Sequence, residues 1–190
     1  FKDCHYRAFL FFPNNRLRNL YDSHTLHRIV NQKGFKICCC MSGMVIQVHP
    51  GAQVHRNAKI GDGTRIFQNA AVHEGAEIGI GCVVGKDAEI EAVKLGDKTR
   101  VWGHSSVRKG AQIGTNCNIG SNVYVGEGVV IGNNCKIQNN VLVYEGVVLE
   151  DGVFLGPACT TTNDLNPRAI NPDGSLKSLQ DWTLSKTLIK

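Results

Sequence analysis

Residues 48–65 read VHPGAQ, VHRNAK and IGDGTR, and the same six-residue unit continues along the chain to Cys159. Nineteen consecutive units begin with Val, Ile or Leu, and one of them, IEAVK at residues 90–94, is one residue short. Six residues advance about 600° around an α-helix, so these apolar residues would not share one helical face. On a β-strand, positions an even number apart do share a face. The period therefore predicts short β-strands.

The first and fifth positions of each unit are predicted to point inward together. The first is large and branched, as at Val48, Ile60 and Ile113, and the fifth is usually small, as at Ala52 and Cys82. The fourth position is mostly Gly, Asn or Asp, which tolerate a left-handed backbone conformation and so favour a corner. A strand and a corner every six residues predict an all-β, three-sided prism of stacked parallel strands. With about eighteen residues per coil, the repeat forms about six coils.

Two places depart from the repeat. The short unit predicts a local bulge or a slightly reset coil, with Val93 at a corner. In VWGHSS, residues 101–106, Trp102 is predicted to point outward and His104 takes a corner position that usually holds Gly or Asn. His104 is therefore either a solvated corner residue or a residue that contacts substrate.

Charge and cysteine placement exclude some classes of protein. Residues 1–40 carry seven Lys/Arg and two Asp/Glu, whereas residues 41–190 carry fourteen of each, so the net charge of +5 lies outside the repeat. A neutral repeat predicts no nucleic-acid partner. The apolar run at 8–12 is too short for a membrane span or a signal segment. Cysteines such as Cys117 and Cys135 fall in the small inward position, so we predict no disulfide framework and a reducing cytoplasm.

The segments on either side of the repeat lack its period. Residues 1–44 are predicted to be an irregular N-terminal extension, either upstream sequence, since MSGMVIQVHP from Met41 is typical of a protein start, or a short helical extension around 24–31. The β-helix domain is predicted over 45–159. Residues 160–190 contain two Asn-Pro pairs and Pro-Asp-Gly, which predict a protruding loop, followed by the start of a truncated return coil at the terminal TLIK.

The repeat resembles the hexapeptide repeat of left-handed parallel β-helix acyltransferases, and the left hand of the predicted helix is taken from this resemblance. A more specific resemblance is carried by KIQNNVLVYEGVVLEDGVFLGP at 136–157 and TTTNDLNPRA at 160–169. These segments are similar to the nucleotide-sugar N-acetyltransferases that acetylate the 3-amino group of UDP- or dTDP-linked amino sugars for surface polysaccharide synthesis. The resemblance covers roughly residues 46–190.

The resemblance implies a homotrimer with its active sites in grooves between neighbouring prisms, where acetyl-CoA meets the nucleotide-sugar. No metal is predicted. Glu145 and His104 are the candidate general bases for the attacking amine. The residues implied to bind substrate are Trp102, Asn139, Asn140, Tyr144, Asn163, Asp164 and Arg168.

Several of these residues have an alternative role. Asn140 is at a corner, where the backbone alone can require Asn, and Tyr144 can equally pack subunits together. Arg168 either holds a phosphate bidentately or pins the loop to Asp164. The departing CoA thiolate can accept the amine proton in place of a side chain.

Two departures from the family pattern leave other functions open. The family's loop begins with an aromatic residue where this chain has Thr161, and the family continues with further coils that contribute to the CoA site, whereas this sequence ends at Lys190. The alternatives are a truncated, inactive or structural β-helix and an acyltransferase for another small acceptor. A zinc site resembling that of γ-class carbonic anhydrase is disfavoured, because His55 and His73 share a face but His49 lies on another.

Overall fold

The computed structural model describes residues 45–178 and 180–190. The predicted N-terminal extension, residues 1–44, lies outside this part of the chain. All of the regular secondary structure in the described residues is β-strand. Among them, no helix has the length and hydropathy of a membrane span.

Twenty short strands follow one another at the spacing that the repeat predicts. They are β1 Gln47–Val48, β2 Gln53–Val54, β3 Lys59–Ile60, β4 Arg65–Ile66, β5 Ala71–Val72, β6 Glu77–Ile78, β7 Val83–Val84, β8 Glu89–Ile90, β9 Lys94–Leu95, β10 Arg100–Val101, β11 Ser106–Val107, β12 Gln112–Ile113, β13 Asn118–Ile119, β14 Tyr124–Val125, β15 Val130–Ile131, β16 Lys136–Ile137, β17 Leu142–Val143, β18 Val147–Leu149, β19 Phe154–Leu155 and β20 Thr187–Ile189.

The strands form three parallel sheets, because each strand pairs with the strand three places along the chain, except that β18 pairs with β20. Sheet 1 has the order β1-β4-β7-β10-β13-β16-β19, sheet 2 has β17-β14-β11-β8-β5-β2, and sheet 3 has β20-β18-β15-β12-β9-β6-β3. The register places Gln47 opposite Arg65 and Lys136 opposite Phe154, eighteen residues apart. The predicted fold class, an all-β parallel β-helix of about six coils, is confirmed and agrees with the left hand taken from the resemblance.

The interior is built from the two inward positions of the unit. Ile113 and Ile131 are buried, and so are the small residues Cys117 and Ala76. The two sets alternate along the chain, each stacks on its own kind in the next coil, and together they form one continuous apolar cluster. A single coil has no core of its own. Stacking of neighbouring coils buries the inward side chains in one continuous core, and this hydrophobic burial stabilises the fold.

The corners lie along three lines of turns, which we name edge 1/2, edge 2/3 and edge 3/1 after the sheets that they join. Most fourth-position Gly, Asn and Asp residues adopt a positive φ, as predicted. Lys98 and Ala158, which are other residue types at the fourth position, do so as well. Gly51 and Asn57, the first two corners, do not. No coil of the described chain lies beneath them, and their backbone N–H groups bond instead to the Nδ1 atoms of His49, at 3.1 Å, and His55, at 3.3 Å.

The predicted corner position of Val93 was wrong. Val93 is not a corner residue, because its side chain is only 2% exposed and packs in the core. Its backbone oxygen accepts a bond from the N–H of Glu77, one coil below, as other fifth-position oxygens do. The missing residue is therefore the corner itself, and burial of an apolar side chain keeps Val93 in the inward position.

The coil is interrupted on sheet 2 and resumes on sheet 3. Thr160 forms a parallel bridge with Leu142, the chain then leaves the prism, and β20 returns to pair with β18. The excursion contains an antiparallel bridge between Ile170 and Leu176 around a turn. This is the protruding loop, which we call the loop of residues 162–186.

Candidate functional site

The predicted site residues of the central coils lie on edge 1/2. Trp102 follows β10, is 42% exposed, and its Nε1 donates to Oδ1 of Asn118 at 2.8 Å. His104 occupies the corner with a φ of 59°, and its exposed ring places Nε2 3.8 Å from Oδ2 of Asp87, one coil below. The side chains of Asn69 first, and then Lys86 and His104, lower the pKa of Asp87. The His104 imidazole therefore lies beside a carboxylate.

Asn139 and Asn140 lie on the same edge, two coils above His104. Asn140 is at the corner with a φ of 60°, and its Oδ1 accepts a bond from Nδ2 of Asn122 at 3.1 Å. Oδ1 of Asn139 accepts a bond from the backbone N–H of Ser121 at 2.9 Å. Both carbonyl oxygens thus join neighbouring coils. Because the side chains are exposed, the amide NH₂ groups are the parts of these residues that face solvent.

Tyr144 and Glu145 lie on edge 2/3, across sheet 2 from the first group. Tyr144 is 38% exposed, and its ring lies 5.8 Å from the ring of Tyr124 at a tilt of 53°. Glu145 is exposed, and its backbone oxygen accepts a bond from Nδ2 of Asn163 at 3.2 Å. The candidate base Glu145 is therefore at the base of the loop of residues 162–186.

Asp164 and Arg168 do not form the ion pair that was one of the two roles predicted for Arg168. Asp164 pairs with Lys177, with 3.9 Å between Oδ2 and Nζ, and its Oδ1 accepts the N–H of Asn166 at 2.8 Å. Arg168 has no ion pair within 4 Å among the described residues. Lys177, and not Arg168, therefore pins the loop to Asp164.

A cleft of about 490 Å³ opens within this loop. Three of its lining residues are predicted site residues, and the other three were missed; together they are Asn163, Asp164, Arg168, Lys177, Ser178 and Trp182. Trp182 is the single aromatic residue of 160–190, and an indole in so polar a segment is the signal that could have identified it. We call this site the loop cleft.

A larger concave region, of about 1910 Å³, contains none of the predicted site residues. It spans the lower coils and a row of glycines on edge 3/1, and inward residues such as Val48 and Ile60 line it. These residues are only partly buried, since no described coil covers the lower end of the prism. Much of its volume is therefore the open end of the core, and we place the candidate site at the motif residues instead.

Thr161, which stands where the resembling family has an aromatic residue, is buried. Its Oγ1 accepts a bond from the backbone N–H of Tyr144 at 2.9 Å, and the residue is 8% exposed. This hydroxyl completes the upper border of sheet 2, so the side chain of Thr161 does not face a ligand.

The histidines of the lower coils make local contacts. His55 and His73 follow the paired strands β2 and β5, whereas His49 follows β1 on sheet 1. His73 places Nε2 3.2 Å from Oε1 of Glu89. Within residues 45–178 and 180–190, no three His, Cys, Asp or Glu side chains are grouped so as to hold a metal ion.

In a single chain, the predicted residues form two groups and not one pocket. One group lies on edge 1/2 and the other on edge 2/3, with the strands of sheet 2 between them. Side chains on different edges of a prism face different directions. A site that uses both groups would need edges from two neighbouring prisms.

Two family models match the repeat. The bacterial transferase hexapeptide matches residues 92–127 and 128–163, and the hexapeptide repeat of succinyl-transferase matches 75–101 and 110–145. No curated protein sequence matches this chain at a significant level. The hexapeptide part of the resemblance is thus confirmed.

Solved structures with a similar fold include three bacterial enzymes. A UDP-N-acetylglucosamine acyltransferase from Bacteroides fragilis is 17% identical, with 65% of this chain and 68% of that chain covered and a TM-score of 0.47. The acetyltransferase domain of PglB from Neisseria gonorrhoeae is 22% identical, with 68% and 54% covered and a TM-score of 0.37. PerB from Caulobacter crescentus, solved with CoA and GDP-perosamine, is 18% identical, with 63% and 52% covered and a TM-score of 0.34.

At these identities and TM-scores, the three structures carry no information about the substrate of this chain. The chain spans about half the length of the PglB domain and of PerB. The sequence match to the hexapeptide repeat is stronger evidence than these structural similarities, because the matched residues coincide with the strands and corners of the prism. Residues 92–163 thus match the bacterial transferase hexapeptide repeat, carried here on a parallel β-helix.

Proposed function

We propose that this chain is an acetyl-CoA-dependent N-acetyltransferase that acts, in the cytoplasm, on the 3-amino group of a UDP- or dTDP-linked amino sugar for surface polysaccharide synthesis. The coarser part of the proposal, transfer of an acyl group, is supported by the transferase hexapeptide repeat. The finer part is supported by the motif segments at 136–157 and 160–169.

One observation carries the proposal: the backbone of Glu145, whose carboxylate is exposed, is tied to the base of a polar loop. Asn163 donates from Nδ2 to the backbone oxygen of Glu145 at 3.2 Å, and its own backbone oxygen accepts the N–H of Ser185 at 2.9 Å. Both ends of the loop are therefore tied next to Glu145. A sugar bound through the loop would have its amine near this carboxylate.

The reaction needs little from the protein beyond binding and positioning of the two substrates. The neutral amine attacks the thioester carbonyl of acetyl-CoA, the C–N bond forms, the C–S bond breaks, and CoA leaves as its thiolate. The amine proton passes to Glu145, to His104 or to the thiolate. Holding the amine and the thioester in line supplies most of the acceleration. Backbone N–H groups at the prism corners are the candidate donors to the oxyanion.

We further propose that the site forms in a homotrimer. Trp102, His104, Asn139 and Asn140 lie on edge 1/2, whereas Tyr144, Glu145 and the loop lie on edge 2/3. Packing prisms side by side brings edge 1/2 of one chain next to edge 2/3 of another. Such a groove would unite the two groups that a single chain keeps apart.

The direct test is acetyl transfer from acetyl-CoA to UDP- and dTDP-3-amino sugars, followed by thiol release and product mass. Glu145→Gln and His104→Asn test the base, and Asn is chosen because it tolerates the positive φ at position 104. Loss of a general base is expected to reduce kcat about 100-fold or more. Glu150→Gln, which removes an exposed carboxylate on edge 3/1, is the matched control.

Three outcomes are informative. A large loss in one base variant, with Glu150→Gln near wild type, identifies the base. Full turnover in both variants assigns the proton to the thiolate and leaves the transferase proposal standing. Absence of transfer to every amino sugar, together with absence of acetyl-CoA binding in calorimetry, would contradict the proposed function and favour a structural β-helix.

A further inference from the structure

We propose that sheet 1 is a docking face for an anionic phospholipid surface, with Arg65, Arg100 and Lys136 against the headgroups and the rings of Phe67 and Phe154 inserted between them. The inference goes beyond the proposed function and does not depend on it. Such a face would hold the prism on the surface of a bilayer without any segment crossing it.

Positive charge and aromatic rings are concentrated on this one face of the prism. Within residues 47–156, the outward residue of each of the seven strands and the residue that follows each strand include no Asp or Glu. Phe67 and Phe154 are 43% and 59% exposed. Three of the outward residues are Lys or Arg, and three are all of the Phe and Trp residues of the repeat; they are Arg65, Arg100, Lys136, Phe67, Trp102 and Phe154.

The cations of sheet 1 have no carboxylate partner on their own face. On sheet 3, for comparison, Nζ of Lys59 lies 2.6 Å from Oε1 of Glu77. Arg65, Arg100 and Lys136 form no ion pair within 4 Å among the described residues. An anionic surface that meets sheet 1 therefore meets three positive charges that are not already paired.

The nearest carboxylates lie on the edges that border the face. Oδ1 of Asp97 accepts the N–H of Ile80 at 2.8 Å, and Oδ1 of Asp151 accepts the N–H of Asn133 at 2.6 Å, so both are bound along the edge. Side chains at a corner point to the side of a face and not along its normal. With both edges counted, the net charge is still positive, by one; the edge residues are Asp62, Asp87, Asp97, Asp151, Lys86 and Lys98.

The cationic side chains pack on the face instead of extending into bulk solvent. Val83 projects outward between Arg65 and Arg100 in the register, yet it is only 4% exposed, so neighbouring side chains cover it. The aliphatic stem of an arginine can cover such a residue while its charged end stays in water. Nζ of Lys136 lies 6.0 Å from the centroid of the Phe154 ring, one coil above. Charge and apolar surface are thus side by side, as at a lipid headgroup boundary.

The shape and composition of sheet 1 fit a lipid surface better than a nucleic acid. Anionic headgroups attract Lys and Arg, and Phe and Trp rings enter the headgroup region. A single-stranded nucleic acid is bound in a positively charged groove. Sheet 1 is instead an open face, on which Gly85 and Gly120 lie in the coils directly below and above Trp102.

The proposed trimer would leave this face on the outside. If edge 1/2 of one prism meets edge 2/3 of the next, sheet 2 faces the neighbouring chains and sheet 1 faces away from them. Trp102 lies at the border of edge 1/2 and is already a candidate substrate residue. The test therefore uses Phe67, Phe154 and the three cations.

The test is co-flotation of the full chain with vesicles of phosphatidylglycerol and phosphatidylcholine, and with vesicles of phosphatidylcholine alone. We expect binding to the anionic vesicles only, and less binding as salt is raised. The triple variant Arg65→Gln/Arg100→Gln/Lys136→Gln should lower the partition coefficient about tenfold or more. Phe67→Ala/Phe154→Ala should lower it at low and at high salt, because ring insertion is not screened.

Two control variants change the other faces by the same amount. Lys59→Gln/Lys94→Gln/Lys109→Gln removes three positive charges that lie outside sheet 1. Leu188→Ala removes an apolar side chain that is 55% exposed on sheet 3. Both should bind vesicles as the wild type does. Arg65→Lys/Arg100→Lys keeps the charge and should also keep binding, which separates charge from any loss of folding in the glutamine variant.

Three results would overturn the inference: equal binding to neutral and anionic vesicles, an equal loss of binding in the control that removes Lys59, Lys94 and Lys109, or no binding to anionic vesicles at low salt. Oligonucleotide binding that depends on Arg65 and Arg100, without vesicle binding, would assign the face to nucleic acid. A smaller oligomer for Phe67→Ala/Phe154→Ala in solution would assign it to contacts between copies of this chain. Acetyl transfer is measured without vesicles, so failure of the docking face leaves the proposed function standing.

Discussion

The side-chain oxygen of Asn139 accepts a hydrogen bond from the backbone N–H of Ser121, one coil below, at 2.9 Å. The same contact recurs at several third positions of edge 3/1 that hold Asp or Asn. Examples are Asp97 with the N–H of Ile80 at 2.8 Å and Asn133 with the N–H of Thr115 at 2.9 Å. Third-position Asp and Asn side chains therefore join successive coils at the edges.

The close approach of the next coil explains why Gly follows the first Ile in these units, because backbone atoms of that coil would also lie 2.7 Å from a Cβ at Gly120 or Gly114. A Cβ atom at Gly120 would lie 2.6 Å from Oδ1 of Asn139, and a Cβ at Gly114 would lie 2.6 Å from Oδ1 of Asn133. Real Cβ atoms do not approach other atoms so closely. Gly is therefore required here by the backbone of the coil above as well as by its polar side chain.

Asn139→Ala is expected to lower the free energy of unfolding by about 1 kcal/mol, because the N–H of Ser121 loses its partner and only solvent replaces it. Asn139→Asp keeps the acceptor and should be close to wild type in thermal unfolding. If Asn139 also binds substrate, Asn139→Asp will raise KM while its melting temperature stays unchanged. Equal stability of the Ala variant and the wild type would contradict the structural role.

The corners were predictable from the sequence because Gly, Asn and Asp are the residue types that tolerate the left-handed backbone conformation of a corner. Asn69, Asp87 and His104 all have a positive φ at the positions where the period places corners. The short unit was not predictable in this way, because five residues do not reveal which position is missing. Burial decided it, since Val93 is apolar and fills the inward position.

The candidate site was less predictable than the fold. The three-unit coil gives the edge on which a residue lies and places Glu145 and His104 on different edges, but it does not say which residues form one site. The loop has no period at all. Its contacts, such as that between Asp164 and Lys177, join residues thirteen positions apart through turns that local sequence does not specify.

Thr99→Val is expected to destabilise the prism by about 1–3 kcal/mol although the two side chains have nearly the same shape. Thr99 is fully buried, its Oγ1 donates to the backbone oxygen of Gly114 at 2.7 Å, and it accepts the N–H of Cys117 at 3.0 Å. Valine leaves both groups without a partner inside the protein. Denaturant unfolding measures the change.

Thr99→Ser serves as the control, since it retains the hydroxyl and loses one methyl group. It should be more stable than the valine variant. The reverse order would show that packing, and not the hydrogen bonds between coils, determines the residue at this position.

The interior thiols are expected to resist alkylation. Sγ of Cys117 donates to the backbone oxygen of Gly132 at 3.0 Å, and that of Cys135 to the oxygen of Glu150 at 3.1 Å. Burial raises the pKa of the Cys117 thiol to about 11, so almost no thiolate exists at neutral pH. Among the four cysteines of the described residues, the half-buried Cys159 should react first.

Iodoacetamide labelling followed by peptide mapping checks this order in the native and the unfolded protein. Cys82, Cys117 and Cys135 should be labelled only after denaturant is added. Labelling of Cys117 in the native state, at the rate found for Cys159, would contradict a closed prism interior.

Asp151 should make the stability of the upper coils depend on pH in the acid range. Its Oδ1 accepts the backbone N–H of Asn133 at 2.6 Å, and its carboxylate also contacts the Asn133 side-chain amide. These bonds, the backbone bond first, lower the pKa of Asp151 below its usual 3.8. A carboxyl with a lowered folded-state pKa stabilises the protein fully above its unfolded-state pKa, and this stabilisation is lost as the pH falls through the folded-state pKa.

The measurement is the difference in melting temperature between wild type and Asp151→Asn across pH. Asparagine keeps one acceptor for the Asn133 N–H but does not titrate, so other acids cancel in the difference. We expect wild type to be the more stable protein at neutral pH, and the difference to shrink as the pH falls below 3.8, the value in the unfolded chain. A difference that is constant down to the acid limit would show that the Asp151 charge does not strengthen its bond to Asn133.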